Sequence, residues 1–533
     1  MVYRTAGNPD LVLLGGKVRT LDGKGTMATA VAVRNGRILG VGSDDEVRRL
    51  VGPDTETVEL AGAVVLPGLI DSHFHVVSLG HTTCATLLYD AQSIDEIIDG
   101  LRRSAGQSSG PILGRGGNFH ESSLTEGRLP TAHDLDLVSD ERPVMITDVN
   151  KTIVNSVVLE GIDTSDIPPG GEVLRDRSGG PLGVFLYSAK QMTPLAAQGA
   201  AIVADISTEE AIVRGLESAA RMGLTGVVDP GEDLNTIASF RSLEAEGRLP
   251  IRVAIMPRGV SPDRLRAAGI ASGLREGRLT FGPIKLAYDL WVMHRTALLY
   301  DPYIGDPHGF GTTRISALEL QDQVNGALQA GWPVGIHATG DHGIDVAASA
   351  IEAGLKEARR PPGRCHLIHV YFPTEKAQDI ASRYDIAIAA QPTFIRTWGE
   401  SLRDIVGDQR AERFKPLRML LDWGLVVGGG ADSPVTWHSP WLGIYAAATR
   451  KTEGGRILGE DERITVEEAL RCYTGGSAAV VGEEDLRGSI EPGKLADLTV
   501  VDRDVVVIDP EEIPGTKTLS TVVGGEIVFK GGW

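Results

Sequence analysis

Eight short apolar runs between residues 65 and 432 alternate with stretches of helical character, and this alternation constrains the chain more than any other feature. The runs cover residues 65–71, 226–230, 252–256, 283–288, 334–337, 365–370, 386–391 and 426–432. Strands that are apolar on both faces belong inside a parallel sheet covered by crossover helices. Apolar residues at helical spacing fall between several of them, as in 318–330, 344–358 and 374–383. The order predicts an α/β fold: a (β/α)8 TIM-type barrel over residues 65–486.

One interval is too long for that plan. Roughly 150 residues separate the first two runs, where a strand–helix unit takes roughly 30. Residues from about 85 to 205 are therefore expected to be a large insertion after strand one, a lid or pocket wall over the catalytic mouth. Within it, 144–147 and 181–186 read as strands. Both ends of the chain are β-like. Residues 31–33 and 37–42 flank Asn35-Gly36, a strong hairpin signal, and 522–528 carry the same pattern around Gly524-Gly525. Residues 1–64 and 487–533 are expected to join as one small β-sandwich.

Several runs end in metal-binding side chains. Strand side chains alternate faces, so His73 and His75 point one way and Phe74 the other. His337 closes the fifth run, His369 lies at the end of the sixth, and Asp432 ends the eighth. Barrel active sites lie at the C-terminal ends of strands, so all five would meet at one mouth. Four imidazoles and a carboxylate suit zinc, manganese, iron or nickel. Lys285 sits in the fourth run, where Ile284 and Leu286 suit the helix layer and the lysine faces inward. Buried lysine loses its charge readily, and a neutral amine can add carbon dioxide as a metal-bridging carbamate. Spacing alone favours the plainer reading, a lysine paired with Asp289 or another acid.

With these residues in place the chain resembles the amidohydrolase superfamily, and within it the N-substituted formamide deformylase-like branch of amidohydrolase family 3. The resemblance rests on LPGLIDSHFH (66–75), GRLPTAHDLD (127–136), IHATGD (336–341), QP (391–392), GGGADSPV (428–435) and GSIEPGKLADLTVVD (488–502). It implies two divalent metals, zinc first, with His73 and His75 on one and His337 and His369 on the other. It further implies that Lys285 is carbamylated and bridges them, and that Asp432 touches metal and acts as general base. The expected reaction is hydrolysis of an amide-like C–N bond in a small organic substrate. Alternatives on the same scaffold are an ester, lactone or C–C bond hydrolase, a metal-dependent lyase or isomerase, and a non-catalytic assembly protein.

The chain departs from the branch around the pocket. Asn150 stands where a histidine is usual, Tyr187 where a glutamate is usual, and Gly117 where a tryptophan is usual. The segment before His369 also lacks the usual acid. These changes predict a less polar or bulkier substrate. Further candidates for substrate contact are His120, Tyr288, Trp291, His294, Gln391 and Arg418.

Charge and cysteine content exclude other classes. A net charge of −19 argues against nucleic acid and anionic membrane as partners. Three scattered cysteines indicate neither a disulfide framework nor a structural zinc module, and they fit a reducing compartment. Pro9 and Asp10 interrupt what an export signal would need to be apolar, so a cytoplasmic protein is expected. Barrel enzymes of this kind are often homodimers or homotetramers.

Overall fold

The computed structural model describes residues 7–83, 85–88, 91–106, 110–116, 124–148, 151–168, 171–193, 206–358, 361 and 363–531. The apolar runs lie in two five-stranded sheets. One places Arg275–Glu276, Leu279–Phe281, Arg252–Pro257, Leu224–Glu232 and Leu69–Asp71 side by side, parallel except for the first pair. The other runs Ile284–Ala287, Val334–Ala338, His366–His369, Ala387–Ala390 and Val427–Gly429, all parallel.

The single closed sheet expected from the sequence is thus two sheets. The fourth run is longer than expected and divided at Gly282-Pro283. Its first part, Leu279–Phe281, joins the first sheet and Ile284–Ala287 joins the second. Proline has no N–H to give to a ladder, which is a physical reason for the break. Gly282 N still donates to Ile255 O at 2.8 Å. At the far edge Ser72 N donates to Gly429 O and Asp432 N to His73 O, both at 2.9 Å.

The first expected run, 65–71, is also two strands. Val64–Pro67 belongs to a different sheet, and only Leu69–Asp71 belongs with the parallel strands. The chain changes sheets at Gly68, whose N–H donates to Asp497 O at 2.8 Å. A methyl group there would sit 2.2 Å from Thr225 Oγ1, so the crossing requires glycine.

Helices fill the intervals. Ala317–Gln329 begins at a capping box made by Ser316 and Glu319, and Glu375–Tyr384 begins at the Thr374 cap. Asp341–Glu357 starts three residues before the apolar periodicity does. Leu320, Val324, Ile344, Ile351 and Ile380 pack on Ile284, Leu286, Ile336 and Leu367 in the largest core. The alternate strand positions, Val228, Ala254, Met256, Ile368 and Ala389, form a separate apolar cluster. The strands therefore bury both faces, as their continuous hydrophobicity required.

The chain ends share a sheet ordered Glu526–Lys530, Thr518–Val523, Leu498–Val501, Val64–Pro67, Lys17–Arg19 and Met27–Ala28. A second sheet, Arg37–Gly42, Ala30–Arg34, Leu11–Leu14 and Glu56–Glu59, supplies Leu11, Leu13, Val31 and Val33 to the same core as Val65, Leu498 and Val500. The Asn35-Gly36 turn has φ of 48° and 72°, the left-handed pair a tight hairpin needs. The segment after strand one carries its own six-stranded sheet: Gly171–Arg175, Pro181–Tyr187, Lys151–Val154, Val144–Thr147, Ile112–Arg115 and Thr86–Leu87. Among the described residues no helix is long and apolar enough to cross a membrane.

Candidate metal centre

The site is assembled from strand ends. His73 and His75 lie just past Leu69–Asp71, and His75 is the N-terminal cap of the helix Val76–Thr82. Phe74 turns the other way into the main core, so the alternation holds beyond the strand. Asp71 fastens this turn to the end of the eighth run. Its two carboxylate oxygens accept from His73 N and from Ala431 N, each at 2.9 Å. His75 N donates to Ser433 O at 2.9 Å. Burial holds the Asp71 carboxyl well above the usual range.

These bonds bring Asp432 against the histidines. Its Oδ1 lies 3.2 Å from His75 Nε2 and 3.6 Å from His73 Nε2, and its Oδ2 lies 4.0 Å from His369 Nε2. One ligand atom from each of His73, His75 and Asp432 can be chosen so that all lie within 4.8 Å of one another. His369 joins them, with ring centroids 5.1 Å from His73 and 4.5 Å from His337. Strict alternation would not place it there. Ala338 pairs with His369 and His337 with Ile368, so His369 shares its strand face with Leu367 of the helix-side core. The alternation breaks at His369 itself, whose φ is +80°. Asp432 also has a positive φ, 55°. Two non-glycine residues in this region at one site mark stored backbone strain of about 1–3 kcal/mol each.

His369 and His337 are held from behind. His369 Nδ1 lies 2.8 Å from Gln391 Oε1, and Gln391 Nε2 donates to Ala389 O at 2.9 Å. Lys415 Nζ donates to the same Gln391 oxygen at 3.0 Å and to His369 O at 2.9 Å. That oxygen is an acceptor, so His369 carries its proton on Nδ1 and leaves Nε2 free. His337 Nε2 lies 2.9 Å from Leu290 O and so donates, which leaves Nδ1 free.

Lys285 is buried, and Ile284 and Leu286 face the helix layer as expected. Burial lowers its pKa to about 7, while the Asp432 carboxylate acts in the opposite sense. Its proximity helps hold His73, His337 and His369 below the usual histidine range, after burial. The plainer pairing with Asp289 is not made. Asp289 accepts from Leu298 N, Thr339 N and Gly340 N at 3.2, 3.0 and 2.8 Å.

The weaker candidates scatter. Gln391 orients His369 from a fully buried position. Trp291 Nε1 donates to Tyr371 Oη at 3.1 Å, and His294 meets the Trp291 ring edge-on at 4.9 Å. Tyr288 is buried in the main core. Arg418 lies on the helix Leu417–Asp422, bonded to Asp422 at 3.0 Å and Glu468 at 2.8 Å, and is not brought to the site. His120, Asn150 and Gly117 lie outside the described residues.

Sequence reasoning missed several residues. His366, opposite Gly335 in register as Lys285 is, is buried with neither ring nitrogen bonded among the described residues, and burial lowers its pKa to about 3. Asp229 and Glu232 lie together on the second strand. Burial first, then Glu232, holds Asp229 well above the usual range. Tyr371, Phe394 and Trp398 build an aromatic wall beside His369. A carboxylate in an otherwise apolar strand was the available signal for Asp229; Lys415 and His366 gave none.

A parallel α/β scaffold with histidines and a carboxylate converging at its strand ends defines a candidate metal-dependent hydrolase. The chain belongs to the amidohydrolase family, whose model matches residues 56–529. As a member of that family it is a hydrolase acting on carbon–nitrogen bonds. It is 30% identical to YtcJ of Bacillus subtilis strain 168 over 97% of this chain and 98% of that one. It is 29% identical to the N-substituted formamide deformylase of Arthrobacter pascens over 98% of both. The structure of an uncharacterized metal-dependent hydrolase from Pyrococcus horikoshii superposes with a TM-score of 0.73 and 25% identity, over 94% of this chain and 99% of that one.

Proposed function

We propose that this chain is a binuclear metal hydrolase that cleaves an amide-like C–N bond in a small, largely apolar substrate. In this reading His73 and His75 hold one divalent metal, His337 and His369 hold the other, and a carbamylated Lys285 links them, with Asp432 alongside. The donor set fits a cation. Asp432 Oδ1 is buried without a hydrogen-bond partner among the described residues and lies 3.6 Å from His73 Nε2 and 3.2 Å from His75 Nε2, a costly state that a bound cation would relieve. When bound, divalent metal supplies Lewis acidity that acidifies water and polarises a carbonyl oxygen.

The protein's own residues account for the rest. In this reading Asp432 takes a proton from the attacking water and returns it to the leaving nitrogen. Lys285, with its pKa near 7, offers a neutral amine that can add carbon dioxide and release one proton. Trp291, Tyr371, Phe394 and Trp398 line one side with apolar surface that excludes water. We also infer that the two parallel sheets act as one barrel over residues 65–486. Residues 1–64 and 487–533 then form the accessory sandwich, and the insertion covers the mouth.

The observation that carries this reading is the convergence of four histidines and Asp432 from four strand ends, with Lys285 buried on a fifth strand. The test is metal content together with turnover of N-substituted formamides, the first choice from the Arthrobacter relative's name. About two equivalents of metal per chain, falling in Lys285→Ala, with an amide cleaved, is the expected result. One equivalent unchanged by that substitution would leave a mononuclear site and a structural lysine.

A further inference from the structure

Two arginines stand at strand ends on the side of the site that Lys285 and His337 occupy. Arg258 directly follows the strand Arg252–Pro257. Its N–H donates to Glu232 O at 3.1 Å, which ties it to the end of the neighbouring strand Leu224–Glu232. Its side chain runs across that strand end: a methyl group on Gly231 would lie 3.4 Å from Arg258 Cδ and 4.0 Å from Nη1. Arg314 is docked just past the strand Ile284–Ala287, where its N–H donates to Tyr288 O at 2.7 Å and Thr313 pairs with Asp289. Tyr288 N donates in turn to His337 O at 3.1 Å.

Both arginines are exposed, and among the described residues neither guanidinium has a salt bridge or a hydrogen bond. The acids on the adjoining strand ends are engaged elsewhere. The Glu232 carboxyl faces Asp229 and His75. Asp289 takes three backbone N–H groups, and Asp432 lies among the histidines. The two guanidinium charges nevertheless bear on the site, because each disfavours positive charge on Lys285 and on His337. In a chain of net charge −19, the mouth thus carries two arginines with no acid to answer them.

The far side of the site is different. The His337 and His369 rings lie 4.5 Å apart. Past His369 the surroundings are aromatic, with the Tyr371 ring at 6.0 Å and Trp291 bonded to the Tyr371 hydroxyl. The site therefore has a cationic side at Lys285 and His337 and an apolar side at His369.

We infer that Arg258 and Arg314 are an anion-recognition pair, and that the substrate is an amide with a carboxylate on one side of the scissile bond and an apolar group on the other. This inference rests on the hydrolytic reading above and specifies its substrate. The planar guanidinium fork matches a carboxylate with two parallel hydrogen bonds, which an ammonium cannot do. Water and salt screen exposed charges, so the pair selects by about 10-fold rather than by the much larger factor of a buried anchor, and the selection weakens as ionic strength rises.

The test compares N-formylphenylalanine, both enantiomers, with N-formylphenylalaninamide, which has the same size and no charge. Metal-loaded full-length protein is used, with binding read by calorimetry and turnover by kcat/KM. At low ionic strength the carboxylate should be favoured by about 10-fold in Kd or kcat/KM, and added salt should shrink that preference. Arg258→Gln and Arg314→Gln should each remove part of it, and the double variant most of it, with the neutral compound unchanged. Circular dichroism and metal content serve as controls. Equal treatment of the two compounds, no binding of either, or variants that weaken both alike would overturn the pair. So would a preference that survives in the double variant, since the carboxylate would then be held by the metal. Cleavage of both compounds without preference would overturn the pair and spare the hydrolytic reading. Arginine-dependent binding of the carboxylate without cleavage of either compound would spare the pair and count against hydrolysis.

Discussion

Gln391 Oε1 takes the Nδ1 proton of His369 at 2.8 Å and the Lys415 ammonium at 3.0 Å, so one amide oxygen fixes the tautomer of a candidate metal ligand. Without it the His369 ring could rotate and place its proton on either nitrogen. Gln391→Leu should lower metal affinity by roughly 10–100-fold, the usual effect of removing such a partner. Metal titration against a competing chelator measures it; unchanged affinity would show that Gln391 merely fills space.

Lys285 has a pKa of about 7 against an ordinary 10.5. Its amine is therefore mostly neutral above pH 7 and mostly protonated below. Reconstitution of metal-free protein with metal and bicarbonate should accelerate between pH 6 and 8, with a midpoint near 7. The linkage has the matching sign. The unfolded chain binds this proton first, so unmodified protein should lose stability as pH falls from 10.5 towards 7. A pH-independent reconstitution rate would sink the carbamate.

Asp71 holds the His73 turn to Ala431 through two backbone N–H bonds. Asp71→Ala leaves both donors buried and unpaired, at about 1–3 kcal/mol each. Thermal unfolding should show a marked drop in Tm, and metal content should fall with it, because His73 and Asp432 lose their common fastening. Metal retention at full occupancy would mean that the turn holds its shape unaided.

Gly335 separates Lys285 from His366 in register. A methyl group there would come 2.3 Å from the Met256 methyl and 2.5 Å from His366 Nε2. Gly335→Ala should destabilise by about 1–3 kcal/mol through overpacking. Denaturant titration reads this directly, and an unchanged midpoint would show that the inner layer has room to spare.

Much of the site could be read from the sequence because it obeys period-two alternation. His73 and His75 share a face, and Lys285 faces inward between Ile284 and Leu286. His369 was found only because it ends a run; its orientation comes from a positive φ that no residue pattern announces. The run 65–71 looked continuous because both halves are buried, though in different sheets. The fourth run was entered late because Gly282-Pro283 hides the strand before it. Arg418 had the right chemistry on the wrong face of a helix.

The sheet that spans both chain ends sets the order in which the enzyme becomes complete during synthesis. Val64–Pro67, one residue from the strand that leads to His73, is paired with Leu498–Val501. A ribosome must therefore translate more than 400 further residues before that edge is covered. Until then Val64–Pro67 presents an open edge, and the turn that carries His73 and His75 is anchored on one side only. Chains released early would hold the parallel strands and still lack the neighbour that braces the turn carrying His73 and His75.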